Sequence, residues 1–139
     1  MQLRVMQYNC QRSQSVVADV EGRFNEDMID IYLLQEPYVV HGQVCGLGSG
    51  LDVYCAGERP KAAVAVRKGV GDVVLRNEWS SDCMAAAHIT LGDQMILVVS
   101  LYCQYGGDIA QDIESVRRVV QGSASVALVV GLDAHAPSR

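Results

Sequence analysis

Three apolar runs in this sequence each end on a residue able to hold or orient a polar reactant. Leu3-Arg4-Val5-Met6-Gln7-Tyr8 leads to Asn9, Ile31-Tyr32-Leu33-Leu34-Gln35 leads to Glu36 with Pro37 behind it, and Val126-Ala127-Leu128-Val129-Val130 runs through Gly131 and Leu132 to Asp133. Read as strands, they deliver these side chains to carboxyl ends, where open α/β sheets place ligands. Pro37 disfavours helical backbone at Glu36, so extended geometry is predicted there. If the strands are neighbours, Asn9, Glu36 and Asp133 converge on one rim. Mg²⁺ suits such a rim, because it keeps much of its water and takes only one or two carboxylates. The matching chemistry is phosphoryl transfer, with the metal polarising the phosphoryl oxygen and an Asp or Asn orienting water.

The elements that must position these residues are legible in outline. Val16, Val17, Val20 and Phe24 recur at spacings of three and four, predicting a helix capped by Ser13 or Ser15 and reaching about Phe24. A strand over 29–35 follows, then a glycine-rich loop over 41–50 and shorter strands near 51–56, 62–67, 72–75, 84–90 and 95–102. A second helix is predicted from Asp108, with Asp108 and Gln111 as a capping box and Ile109, Ile113, Val116 and Val120 as its inner stripe. The last strand is placed at 126–130. Gly46-Leu47-Gly48-Ser49-Gly50 leads into a strand instead of a helix N-terminus, which argues against a phosphate loop.

Tyr8-Asn9, Leu34-Gln35-Glu36-Pro37, Ser100-Leu101-Tyr102 and Gly131-Leu132-Asp133-Ala134, in this order, resemble the motifs of the endonuclease/exonuclease/phosphatase superfamily. The likeness is greatest to the apurinic-type endonuclease domain of insect non-LTR (LINE-type) retrotransposons, through Tyr8 to Arg12 and the Gly-Leu-Asp-Ala phrase. The resemblance implies an α/β fold, a two-layer β-sandwich flanked by helices as in deoxyribonuclease I, with residues 1–139 as the N-terminal portion of one domain. It implies Glu36 and Asn9 as contacts to Mg²⁺ or Mn²⁺, Asp133 as the residue orienting the attacking water, and Tyr102 as a hydroxyl on the scissile phosphate. Tyr105 is the alternative, since the proline expected two places after the family tyrosine is absent. Arg12 either reaches a DNA phosphate or solvates the start of the first helix. Two departures follow. His135 stands where the family carries an amide, altering size and charge. The family's general-base histidine belongs to a further half of roughly a hundred residues, by domain-size norms, so the fragment alone is expected to be inactive, with one sheet lacking its partner.

The implied activity is nicking of target DNA in retrotransposition, with DNA as partner and the reverse transcriptase of the same polyprotein as a second. The alternatives are a phosphatase or phospholipase of the same superfamily and a non-catalytic remnant. Half of the residues are hydrophobic, enough for one core. The net charge of −5 provides no basic surplus for gripping phosphates, and Lys61, Arg67 and Lys68 read as solubilising strand ends. Cysteines at 10, 45, 55, 83 and 103 form no C-x-x-C pair and read as packed thiols. With no signal-like N-terminus and no run near the ~20 residues of a membrane span, an intracellular protein without membrane contact is expected, nuclear in action if it serves a retrotransposon.

Overall fold

The structure is a computed structural model that describes residues 2–104, 106–123 and 126–134. The chain opens with a β-α-β unit: β1 (Val5–Asn9), α1 (Gln14–Asp27) and β2 (Ile31–Gln35), with β1 and β2 parallel and Asn9 beside Gln35. Ser13 rather than Ser15 caps α1, its hydroxyl accepting from the Val16 amide. The helix ends three residues beyond Phe24, where Met28 turns left-handed at φ 54°. The hairpin β3 (Val39–Val40) and β4 (Gln43–Val44) occupies part of the stretch expected to be loop. Strands β5 (Leu51–Tyr54), β6 (Ala62–Arg67), β7 (Asp72–Leu75), β8 (Met84–Leu91) and β9 (Gln94–Cys103) follow. A second β-α-β unit closes the described chain, with α2 (Ile109–Gly122) carrying β9 over to a parallel β10 (Ala127–Ala134).

Two four-stranded sheets result, ordered β1-β2-β6-β5 and β10-β9-β8-β7. Strand alternation sorts their side chains. In β2, Tyr32 and Leu34 point outward beneath Val17, Val20 and Phe24 of α1, whereas Ile31 and Leu33 point inward. Facing them across the sandwich are Ala85, Ala87, Ile89 and Val98 of the second sheet, small residues against large ones. On the outside of that sheet, Met84, Ala86, Leu97, Val99 and Leu101 pack with Val116 and Val119 of α2. The architecture is therefore an α/β two-layer sandwich with a helix on each outer face. Gly131 lets the layers meet at one edge: a Cβ there would lie 2.9 Å from Leu33 Cδ1.

Several expectations need correction. No sheet lacks its partner, because strands β7 to β10 already supply the second layer. In α2, Ile109, Ile113 and Val120 are exposed, and Val119 is the buried residue. The helix is rolled so that the face carrying Val116 and Val119 meets the sheet, because Asp108 and Gly122 anchor its ends. Asp108 accepts from the Ala110 and Gln111 amides, and Gly122 sits so close under Trp79 that a Cβ would come within 2.3 Å of its ring. The capping box is half formed, since no return bond from the Gln111 side chain occurs among the described hydrogen bonds. The last strand continues four residues past Val130, as every residue from Gly131 to Ala134 finds a pairing partner between Ser100 and Cys103.

Candidate active site

The carboxyl ends of β1, β2, β9 and β10 meet on one rim, and each brings one residue singled out by the sequence. Asn9 ends β1, Glu36 follows β2, and Tyr102 pairs with Asp133 across β9 and β10. The two sheets touch through a hydrogen bond from Asn9 Nδ2 to Asp133 Oδ2. Asn9 Oδ1 also accepts from the Gln11 amide at 2.8 Å, so both ends of its amide are fixed. Glu36 lies beside this pair, mostly buried, with its carboxylate 3.8 Å from the Arg12 guanidinium. Tyr102 donates to Glu36. Burial and then that carboxylate raise the Tyr102 pKa above the ordinary tyrosine value, and Arg12 opposes them, so Tyr102 remains a neutral O–H donor throughout the neutral pH range.

The backbone at the rim is strained. Gln11 and Arg12 both have φ 54°, and Glu36 has φ 48°, not the extended backbone predicted from Pro37. Proline excludes the right-handed helical region for its predecessor, but two backbone bonds hold Glu36 in the left-handed one. Its N–H donates to Lys61 O and its carbonyl accepts from the Arg12 amide, each at 2.8 Å. Non-glycine residues in this region cost about 1–3 kcal/mol each and concentrate at ligand sites.

Beneath the rim lies a polar network with no role assigned from sequence. Gln35 is fully buried. Its Nε2 donates to Ser100 Oγ at 2.9 Å, its Oε1 accepts from Gln7 Nε2 at 3.1 Å, and Ser100 Oγ donates to Leu34 O at 2.6 Å. Gln7 also donates to Leu132 O at 2.6 Å. These bonds tie β1, β2, β9 and β10 together directly under Asn9, Glu36, Tyr102 and Asp133. The signal was present: a glutamine and a serine interrupt otherwise apolar buried strands, and buried polar groups persist where they are satisfied.

No protein-family model matches the chain, and no curated protein matches it significantly. Solved structures do. The endonuclease domain of TRAS1, a telomere-specific non-LTR retrotransposon, superposes with TM-score 0.85 at 27% identity, covering 99% of this chain and 61% of that one. A mannosyl-6-phosphatase from Bacteroides thetaiotaomicron gives 0.66 at 15% identity, over 95% and 65%. The AP endonuclease of Leishmania major gives 0.61 at 10%, over 94% and 54%. The chain has the endonuclease/exonuclease/phosphatase fold. It spans under two thirds of the length of each of these structures.

Within that superfamily fold, Asn9, Arg12, Glu36, Tyr102 and Asp133 gather as the sequence suggested, whereas Tyr105 and His135 lie outside the described residues. No group of three or more His, Cys, Asp or Glu residues able to hold a metal occurs among the described residues. The donor set still fits Mg²⁺. One mostly buried carboxylate, Glu36, stands beside the amide oxygen of Asn9, hard oxygen donors of the kind this ion uses while keeping several waters. A soft or multi-histidine metal would find no matching donors among them.

Proposed function

We propose that this chain is the portion of a DNA endonuclease domain, of the kind carried by non-LTR retrotransposons, that grips the metal and the scissile phosphate. The observation that carries the reading is the junction of the two sheets, where Asn9 bonds Asp133 beside the linked Glu36, Tyr102 and Arg12. In this reading Glu36 and Asn9 hold Mg²⁺ or Mn²⁺. When bound, the ion supplies Lewis-acid polarisation of the phosphoryl oxygen and charge stabilisation for the leaving oxygen. Tyr102 donates its proton toward a phosphate oxygen, exchanging its Glu36 partner for substrate. Asp133, oriented by the Asn9 amide, accepts a hydrogen bond from the attacking water and so aims its lone pair at phosphorus. Arg12 neutralises Glu36 before the metal arrives and turns to a DNA phosphate afterwards. His135 takes the place of the family amide. The general base belongs to sequence beyond residues 1–139, and the reverse transcriptase of the same polyprotein, acting in the nucleus, would use the 3′-hydroxyl left by the nick.

The similarity to a mannosyl-6-phosphatase favours one second reading, a phosphatase acting on small phosphomonoesters. The test uses the polypeptide in its natural frame with its flanking sequence. In Mg²⁺ it should nick supercoiled plasmid, and Glu36→Gln should slow this by ~10²-fold or more, on the scale of losing a catalytic metal contact. Release of phosphate from mannose 6-phosphate without nicking would replace the nuclease reading by the phosphatase one. Nicking that is indifferent to Glu36 would remove this rim from the chemistry.

A further inference from the structure

We propose that the cavity beside Tyr102 is a nucleobase subsite that prefers a base carrying an exocyclic amino group, next to the bond that is cut. This inference rests on the DNA endonuclease reading and names what that site recognises in its substrate.

The cavity encloses about 310 Å³ between the end of β9, the start of β8 and the first two turns of α2. Tyr102 forms one wall, so an occupant here adjoins whatever phosphate Tyr102 touches. Met84 and Leu101 supply an apolar floor, while Gln104, Asp108, Gln111 and Asp112 supply polar atoms around the mouth. The lining holds two carboxylates and neither lysine, arginine nor histidine. Such a surface repels phosphate and welcomes neutral donors. A nucleobase is the neutral part of a nucleic acid, and a carboxylate or amide oxygen accepts from the amino groups of adenine and cytosine, which thymine lacks. The polar atoms are held in place. Gln104 Nε2 lies 3.2 Å from Cys83 Sγ, Asp108 accepts from two helix amides, and Asp112 accepts from the Cys103 thiol. Each leaves carboxylate or amide oxygen capacity toward the cavity, since a carboxylate offers about four acceptor positions. The floor accounts for affinity and the carboxylates for choice of base. The helix start also fits the assignment, because its two terminal donors are already taken by Asp108, which leaves no anion site there to compete.

The probes are dAMP, dCMP and TMP, titrated into the 1–139 chain without metal while the side-chain amide resonances of Gln104 and Gln111 are followed by NMR. The expected result is that dAMP and dCMP shift both resonances at concentrations at least ~5-fold below those TMP requires, the low end of discrimination by a base-edge contact. Gln111→Ala, an exposed helix position, should bring that preference below ~2-fold, and Ser115→Phe, which fills the cavity, should abolish the shifts for all three. Equal response to all nucleotides, competition by inorganic phosphate as strong as by dAMP, or indifference to both variants would overturn the assignment. Selective binding of dAMP and dCMP by a protein whose natural-frame form does not nick DNA would leave the subsite standing and sink the endonuclease reading. Nicking with no base preference at either nucleotide flanking the cut would do the reverse.

Discussion

Two polar clusters in this molecule use similar residues to opposite ends. At the rim, Arg12 stands 3.8 Å from Glu36, and the acidic and amide groups are shared between elements of both sheets. On the outer side of the second sheet, at the turn between β7 and β8, Arg76 binds Glu78 through two nitrogens at 2.6 and 3.1 Å and His88 Nδ1 at 2.7 Å. Its guanidinium also stacks 4.7 Å over Trp79, whose ring meets His88 edge-on at 6.0 Å. Arg76 has spent its donors locally, and His88 must be neutral, because a guanidinium has no acceptor to offer a second N–H. The outer cluster is closed upon itself and pins a turn. At the rim, a long ion pair and strained backbone leave contacts that a ligand can exchange. Compactness of the ion pair, rather than its residue types, separates the structural cluster from the candidate catalytic one.

The contrast can be tested by breaking each cluster. The largest effect is expected at the support of the rim: Gln35→Ala should cost about 3 kcal/mol in denaturant unfolding, combining a core cavity with the orphaned Gln7 and Ser100 groups. A loss below ~1 kcal/mol, the net value of one hydrogen bond, would mean the network is incidental. On the outer side, Gly122→Ala should cost about 2 kcal/mol, since the added methyl must displace the Trp79 ring. An unchanged melting temperature would show that α2 can slide away from the turn.

Two smaller effects sharpen the difference. Glu36→Gln should weaken Mn²⁺ binding at least ~10-fold by calorimetry while leaving the fold intact, whereas Glu78→Gln should leave it unchanged; equal binding by wild type and Glu36→Gln would take Glu36 out of the donor set. The smallest is the pH response. Burial first, and Arg76 second, lower the His88 pKa, with Glu78 opposing. Its neutral form therefore stabilises the fold fully above the unfolded value near ~6.5, and that contribution fades as pH falls toward the lower folded value. Between pH 7 and 5 the wild type should lose more stability than His88→Gln; parallel curves would show that Arg76 swings aside at no cost.

The rim was readable because strand ends are marked by an abrupt change from apolar to polar residues, as at Tyr8-Asn9 and Gln35-Glu36. Arg12 was left between two roles, since an ion pair between residues 24 apart in sequence leaves no local trace. Gln35 and Ser100 were quoted inside motifs but given no task, because a bond between sheets depends on which strands end up neighbours. The stripe of α2 shows the same limit from another side. Ile109, Ile113 and Val120 do recur with helical period, and that period established the helix. Which face it buries was decided by Trp79, Gly122 and the cap at Asp108. In α1, periodicity and neighbours agree, and Val17, Val20 and Phe24 are buried as expected.

The two β-α-β units also set the order in which the rim can be completed. Residues 5–35 and 94–134 each assemble a parallel pair through their own helix, and long loop closure makes such pairings slow. Asn9 and Glu36 come from the first unit, Tyr102 and Asp133 from the second, so neither unit alone makes a site. The Asn9 to Asp133 bond forms only once the two units dock. A probe at the rim would therefore report the last step of folding, while far-ultraviolet signals from the helices would already be near their final values.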